Sequence, residues 1–282
     1  MNELTAIGRA RRLVAGITSA PVDAYGLAAL HGMEVKESNQ LAEGEAGNTF
    51  RKGTKTIIVV NKNDHLFRRR FTVLHELAHH FLELPSKHGA SICSDDLERF
   101  VGRPSEEKIC DVFAAECLVP AHLMRSLTDA PFSVETIQRL SDQFQASRPC
   151  IASSFVRTCP ALIAYVFAEA GRISNVLASA ALRDQRVFIQ DGRLPSSSAA
   201  ARALANDTVA ESAELDGSDW SSSDAADQFV CTEEAFHLRA WKQTLSFLTF
   251  ERVGSAQHGG VERSEGEELL PELTGYLPWP KK

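Results

Sequence analysis

Two histidines four residues apart, with a glutamate beside the first, are the side chains of this sequence best suited to catalysis. They are His75, Glu76 and His79, in the pattern H-E-x-x-H. No proline or glycine interrupts residues 70–84, and apolar residues surround the pattern, so the segment predicts a buried helix. Four helical residues advance about 400° and about 6 Å, which places both imidazoles on one face, where they can bind one zinc ion. Glu76 is rotated about 100° from His75 and is expected to take a proton from a metal-bound water.

The same pattern also occurs by chance in proteins that bind no metal. His75 and His79 would then be ordinary core or surface histidines. A buried helix makes that alternative costly, because two histidines and a glutamate lose solvation free energy unless another group pairs with them. A metal ion supplies such a partner, so the sequence predicts a zinc site.

A catalytic zinc site needs a third protein ligand and an open fourth position. Residues 104–120 predict a second helix, with Ser105 as its N-cap and Val119-Pro120 as its end. Its expected core face comprises Ile109, Cys110, Phe113, Ala114 and Cys117. Glu106 and Glu107 both lie in the first turn, where a carboxylate also favours the helix dipole. Periodicity alone does not choose between these glutamates as the ligand.

Both helices lie in stretches that resemble the ImmA/IrrE family of zinc metallo-endopeptidases. Residues 69–79 contain the pattern R-F-T-x-x-H-E-x-x-H, and residues 107–120 follow the pattern E-x-x-x-[ND]-x-F-A-A-x-x-L-x-P. The similarity covers about residues 20–125 and fades beyond them. In one departure, Ala78 stands where many members have glycine.

The resemblance implies roles for individual residues. His75, His79 and Glu107 would be the zinc ligands, and Glu76 the catalytic base. Three further side chains are expected to support the ligands or to meet the substrate, namely Asp111, Arg70 and the additional histidine His80. A donor to the developing oxyanion is left open among Tyr25, Tyr165, His65 and His122.

Three consecutive arginines, Arg68 to Arg70, lie where the first catalytic helix begins. Positive charges there oppose the helix dipole and need acidic neighbours. We expect them to pair with carboxylates of the same domain. For Arg68 and Arg69 the alternative is that they grip the substrate.

Composition indicates an ordinary globular protein. Of the 282 residues, 44% are hydrophobic and 24% charged, and the net charge of −7 gives no general attraction to nucleic acid. No signal peptide or membrane-length apolar run is evident, which favours the cytoplasm. The six cysteines form no C-x-x-C pair, so reduced thiols are expected and a cysteine zinc site is not.

The predicted architecture is α+β in three parts. Residues 1–128 are expected to form a zincin-like zinc metallopeptidase domain, with a strand at 56–61 that is either internal or offers its edge to a peptide. Residues 129–160 predict a helix-turn-helix-like segment, with helices at 133–144 and from Arg148 onward. Its few basic residues (Arg139, Arg148 and Arg157) argue against DNA binding.

The third part, residues 161–282, is predicted to be a strand-rich α+β domain. Ala170-Gly171 indicates a hairpin, residues 186–190 a strand, and the apolar runs of 237–251 are expected to pair with these strands. Residues 195–228 are rich in Ser, Ala and Asp and are predicted to be a loop or mobile linker, and 254–282 a loose tail.

The sequence therefore favours a zinc-dependent endopeptidase. By resemblance, its substrate would be a helix-turn-helix transcriptional repressor of a stress or mobile-element response. The partner is expected to be a separate protein, because the twenty residues before Pro21 cannot hold a repressor domain. The competing interpretation is a DNA- or protein-binding regulator whose zinc site is not catalytic.

Overall fold

The first elements form a small mixed sheet with two helices beside it. The computed structural model describes residues 1–42, 44–85 and 105–254. Helices α1 (Glu3–Leu13) and α2 (Ala24–Leu30) precede strands β1 (Met33–Ser38), β2 (Gly47–Lys52) and β3 (Lys55–Asn61). Strand β3 is the middle strand, parallel to β1 and antiparallel to β2. The strand predicted at 56–61 is therefore internal, and β2 is an edge strand of the described sheet.

Two packed helices carry the predicted chemistry. They are α3 (Leu66–Phe81) and α4 (Ser105–Leu118). Helix α3 ends before the predicted residue 84 because Glu83 adopts a left-handed conformation with φ of 57°. Helix α4 buries its predicted core face (Ile109, Cys110, Phe113, Ala114 and Cys117). Helix α1 lies along α4, where Arg11 Nε is 2.9 Å from Glu116 Oε1.

The helix-turn-helix-like segment follows the short helix α5 (Ala121–Arg125). Its helices are α6 (Val134–Phe144) and α7 (Arg148–Thr158), close to the predicted bounds. Ser133 and Ser147 cap them, since each hydroxyl accepts a hydrogen bond from a backbone N–H three residues ahead. Within the fully described α7, only Arg157 is exposed, so this helix is covered by its neighbours.

A five-stranded antiparallel sheet dominates the remaining part of the described chain. Its strands are β4 (Ile163–Glu169), β5 (Arg172–Ala178), β6 (Ala210–Asp216), β7 (Phe229–Leu238) and β8 (Gln243–Arg252), in the order β5-β4-β8-β7-β6. Ala170 and Gly171, both with positive φ, form the predicted hairpin turn between β4 and β5. As predicted, the apolar run within 237–251 pairs with these strands, because β8 lies beside β4.

Two predictions for this part are wrong. Residues 195–228 are not a mobile linker, because α9 (Ala199–Asn206), β6, α10 (Gly217–Trp220) and a 3-10 turn (Asp224–Gln228) all lie there. Ser198 caps α9, and the ring of Trp220 is fully buried. Residues 186–190 form no strand either; only Ile189 makes an isolated bridge, to Ser221. The predicted loose tail from 254 onward lies, beyond Gly254, outside the described residues.

One face of the large sheet shares a core with the helical parts. Phe132 lies 5.2 Å from Phe155 of α7 and 5.3 Å from Phe247 of β8, measured between ring centroids. The opposite face packs against α9, α10 and the short helix α8 (Ala180–Asp184), around Trp220 and Leu248. The predicted α+β class is confirmed. In the described part of the chain, no helix combines the length and apolarity needed to span a membrane.

Candidate metal centre

Three side chains from α3 and α4 converge on one buried point. His75 Nε2 lies 3.1 Å from Glu107 Oε2 and 3.2 Å from His79 Nε2, and His79 Nε2 lies 3.4 Å from Glu107 Oε1. All three residues are at most 5% exposed. The four-residue spacing on α3 aligns the two imidazoles, and the packing of α4 against α3 supplies the carboxylate.

The donor atoms fit a zinc ion in both chemistry and spacing. Zinc binds imidazole nitrogen and carboxylate oxygen at about 2.0–2.1 Å, so two ligands at corners of a tetrahedron lie about 3.3 Å apart. The three measured separations are close to this value. A site of two histidines and one glutamate also leaves a fourth position open, as catalytic zinc sites do.

The electrostatics of the same residues favour a bound cation. Burial of His75 disfavours its charged form, but its hydrogen bonds with Asp111 and Glu107 outweigh this and raise the pKa of His75 to about 9. Hydrogen bonds from His75 and His79 likewise outweigh burial and hold the pKa of Glu107 well below its usual range. Ionised Glu107 could therefore hold a metal, and at His75 a metal would take the place of the proton.

Asp111 lies one turn after Glu107 on α4 and contacts the other side of His75. Its Oδ1 is 2.9 Å from His75 Nδ1. A hydrogen bond at Nδ1 directs the lone pair of Nε2 to the point shared by the three donors. Glu106, the alternative that periodicity left open, is only half-buried and accepts a hydrogen bond from Ser105 Oγ at 3.0 Å.

Glu76 lies beside the three donors, at the wall of an open cleft. The cleft has a volume of about 560 Å³. Glu76 is 1% exposed, and its Oε2 accepts a hydrogen bond of 2.6 Å from Thr49 Oγ1 on β2. The remaining lining comes from β2, β3 and the end of α3 (Phe50, Arg51, Thr56, His79, His80, Glu83 and Leu84). Sequence reasoning missed Thr49.

Exposed His80 lines this cleft, whereas Arg70 lies elsewhere. Arg70 is buried and donates to the carbonyl oxygen of Val22 at 2.5 Å and to the side-chain oxygen of Gln145. It therefore joins α3 to the turn between α6 and α7, and burial lowers its pKa. These hydrogen bonds link Arg70 to other segments of the same protein.

The other two arginines have the acidic neighbours that the sequence predicted. Arg68 Nε lies 3.1 Å from Asp64 Oδ2, and the guanidinium of Arg69 lies 2.6 Å from Glu37 Oε1. Both pairs are within the first part of the chain. They offset the unfavourable placement of positive charge near the helix N-terminus.

The four residues considered as oxyanion donors do not line the described part of the cleft. Tyr25 donates to Glu37 at 2.9 Å, and the ring of His122 bonds the carbonyl oxygen of Ile17 at 2.7 Å. His65 caps α3, with its Nδ1 accepting from the N–H of Phe67. Tyr165 borders a different cavity, together with Phe71 and Asp111. None of the oxyanion donors considered from the sequence therefore lies in the described part of the cleft.

The part of the chain that carries this centre is similar to a known protein family. Residues 28–152 match the family model Peptidase_M78, the IrrE N-terminal-like domain. Among solved structures, a Mycobacterium tuberculosis transcriptional regulator is similar at 13% identity with a TM-score of 0.57, over 87% of this chain and 76% of that one. At this identity the likeness concerns the fold alone. No curated protein matches the chain. The match confirms, over residues 28–152, the resemblance to ImmA/IrrE proteins that was predicted from the sequence.

Proposed function

We propose that this protein is a zinc-dependent endopeptidase. The observation that carries the proposal is the convergence of His75, His79 and Glu107 at tetrahedral spacing, with the carboxylate of Glu76 beside them in an open cleft. A purely structural zinc site uses four protein ligands and needs no adjacent carboxylate. A site with two histidines and one glutamate as ligands, and a further glutamate as the base, suits hydrolysis instead.

In this mechanism, zinc when bound would polarise a water molecule and the carbonyl of the peptide bond. Glu76 takes a proton from the attacking water and then delivers it to the leaving amine nitrogen. Asp111 holds the proton on Nδ1 of His75, so that Nε2 stays available as a ligand. The burial of the three ligands excludes competing water from their side of the centre.

The edge strand β2 is suited to hold a substrate backbone. Asn61 N–H donates to the carbonyl of Ala46, and the ladder continues in register from Gly47 to Lys52. Residues alternate along an antiparallel strand, so the N–H and C=O groups of Thr49 and Arg51 point away from β3. An extended peptide added at this edge would pass Glu76.

The proposed substrate is a separate protein, a helix-turn-helix transcriptional repressor in the cytoplasm, and its cleavage would relieve repression in a stress or mobile-element response. The family resemblance supports this choice. The similar solved structure is a transcriptional regulator, which accords with a role in transcription.

Direct DNA binding by the helix-turn-helix-like segment receives less support. Helix α7 packs on α5, α6 and the large sheet, and Arg157 is its one exposed residue. Arg148 stacks on Phe236, with 4.6 Å from Cζ to the ring centroid, and bonds Gln138. A helix enclosed in this way cannot enter a DNA groove without leaving the sheet.

Zinc content and hydrolysis of Glu76→Gln test the proposal. The variant should fold, bind one zinc per chain and lose hydrolysis, because an amide cannot accept the proton. His75→Ala and His79→Ala should lose the zinc. Glu135→Gln, at an exposed position on α6, is the matched control and should behave as the unchanged protein. Full activity in Glu76→Gln, or loss of its metal, would show that the roles are misassigned.

The substrate is tested separately. The zinc-loaded protein is incubated with a repressor encoded by a neighbouring gene and, in parallel, with casein. A single cut in the repressor, with casein intact, is the expected result. Broad digestion of casein, or cleavage of short peptides without cleavage of any repressor, would refute the repressor as substrate while leaving a zinc peptidase.

A further inference from the structure

Thr49 of β2 contacts the proposed base from outside α3 and α4. Its hydroxyl donates to Glu76 Oε2 at 2.6 Å, a short hydrogen bond to a carboxylate that is 1% exposed. Resting on the proposed function, we propose that Thr49 is a positioning residue: its hydrogen bond holds the Glu76 carboxylate in one orientation.

The backbone holds this contact in place through a second contact beside it. A Cβ atom on Gly47 would lie 2.7 Å from Thr72 Cγ2 and 2.6 Å from the carbonyl oxygen of Val59, so only glycine allows β2 to approach α3 this closely. Gly47 and Thr49 lie on the same face of β2, about 6.7 Å apart along the strand. Thr72 and Glu76 lie on the same face of α3, about 6 Å apart along the helix.

The two contacts are therefore separated by nearly the same distance along β2 as along α3. The contact of Gly47 with Thr72 sets the distance between β2 and α3, and the contact of Thr49 with Glu76 follows one repeat further on. On the other side, Thr49 pairs with the fully buried Ile58 of β3, which anchors this part of β2. The backbone position from which the Thr49 hydroxyl reaches Glu76 is thus fixed.

The consequence for the chemistry concerns the orientation of the Glu76 carboxylate. Oε2 accepts the Thr49 hydrogen bond, which limits rotation of the carboxylate while it takes the proton from the attacking water. A carboxylate that is held in this way does not have to reorient before it delivers the proton to the leaving nitrogen. Without the hydroxyl, the carboxylate gains rotational freedom, so turnover slows while substrate binding stays the same.

The kinetic test compares Thr49→Val, which keeps the shape and removes the hydroxyl, with Thr49→Ser, which keeps the hydroxyl. The probe is the quenched fluorescent peptide that the zinc-loaded protein cleaves fastest in a random peptide library. Loss of a hydrogen bond to a charged group should lower kcat of Thr49→Val about 10- to 100-fold with KM unchanged. Thr49→Ser should stay within about threefold of the original kcat, since the donor is retained.

Thr232→Val is the matched control, because Thr232 is an exposed strand residue in the other sheet. Its kcat, zinc content and Tm should not change. If Thr49→Val keeps its kcat, the positioning role is refuted. If Thr49→Val instead loses zinc or melts well below the control, Thr49 is a structural residue and the proposal also fails.

A second readout separates this proposal from the proposed function. The visible absorption of bound Co²⁺ depends on the groups around the metal, so it is measured in the same variants and in Glu76→Gln. Thr49→Val should shift the spectrum in the direction of Glu76→Gln, and Thr49→Ser should not. If the protein cleaves no peptide or repressor but this pattern holds, the peptidase function fails and the positioning of Glu76 stands. An unshifted Thr49→Val spectrum refutes the positioning.

Discussion

At the residue scale, the centre depends on which glutamate of α4 faces the two histidines. Glu107 is 5% exposed and contacts both imidazoles, whereas Glu106 is half-buried and contacts Ser105. Neighbouring helical residues differ by about 100° around the axis, so only one of them can point to α3. The helix register that the family pattern implied thus agrees with the geometry.

Replacement of each glutamate by alanine should therefore have unequal effects on zinc affinity. Loss of a side chain that only hydrogen-bonds to a metal ligand lowers metal affinity about 10- to 100-fold. Glu107→Ala removes a ligand itself, so it should weaken zinc binding by more than this. Glu106→Ala should leave zinc affinity unchanged and cost about 0.3–1 kcal/mol of stability from the helix dipole. Competitive zinc titration of both variants decides this, and equal losses of affinity would show that α4 has been assigned the wrong register.

Sequence reasoning found the residues that share a local pattern. It missed Thr49, whose contact with Glu76 depends on how two elements pack together. His75, Glu76 and His79 follow from helical spacing within five residues. Thr49 meets Glu76 only because β2 and α3 lie side by side, a separation of 27 residues along the chain. The one local signal was Gly47 two residues earlier, and glycine in a strand often marks the close approach of another element.

At the element scale, a buried glutamate explains why residues 195–228 are ordered. Glu233 of β7 accepts hydrogen bonds from the N–H groups of Ala199 and Ala200 at 2.7 and 3.0 Å, and from Ser246 Oγ at 2.8 Å. It therefore caps the N-terminus of α9 from across the sheet. The Ser- and Ala-rich composition of this segment resembled a loop, and no local pattern revealed a cap supplied by a residue 34 positions away.

Glu233→Gln should destabilise the protein by about 1–3 kcal/mol, because an amide NH₂ would face a backbone N–H that needs an acceptor. Burial raises the pKa of Glu233, although hydrogen bonds from Ser246, Ala199 and Ala200 oppose this. The folded state then keeps a proton that the unfolded state loses, so the contribution of this group to stability falls as pH rises above its usual range. The cost of Glu233→Gln should accordingly be largest at acidic pH and shrink as pH rises.

Urea unfolding of both proteins across the pH range measures this difference. Glu251→Gln, at an exposed position on β8, is the control and should show no cost at any pH. A cost that grows with rising pH would mean that the fold stabilises Glu233 as an anion, with a pKa below rather than above its usual range.

At the scale of the whole molecule, the helical parts and one face of the large sheet share a hydrophobic core. Phe247 of the large sheet is 1% exposed and belongs to the same cluster as Leu74 of α3 and Phe113 of α4. The sequence predicted three parts and the helices of the middle one. It did not predict that α7 would pack between the large sheet and helices α4, α5 and α6, since such packing depends on contacts between residues far apart in the chain.

Phe247→Ala should therefore lower the stability of the candidate metal centre although Phe247 lies in the large sheet, outside α3 and α4. Truncation of a buried phenylalanine costs about 3–5 kcal/mol, through lost burial and the cavity left behind. Phe247 lies in the core that the sheet shares with α3 and α4, and the opposite face of the same sheet packs around Trp220. If the sheet couples the two cores, the absorption of bound Co²⁺ and the tryptophan fluorescence should report the same lowered Tm. Phe188→Ala, at a 57% exposed position, is the control and should change stability by less than about 0.5 kcal/mol. If the fluorescence transition moved while the Co²⁺ transition stayed in place, the large sheet would unfold independently of α3 and α4, and coupling between them through the shared core would be excluded.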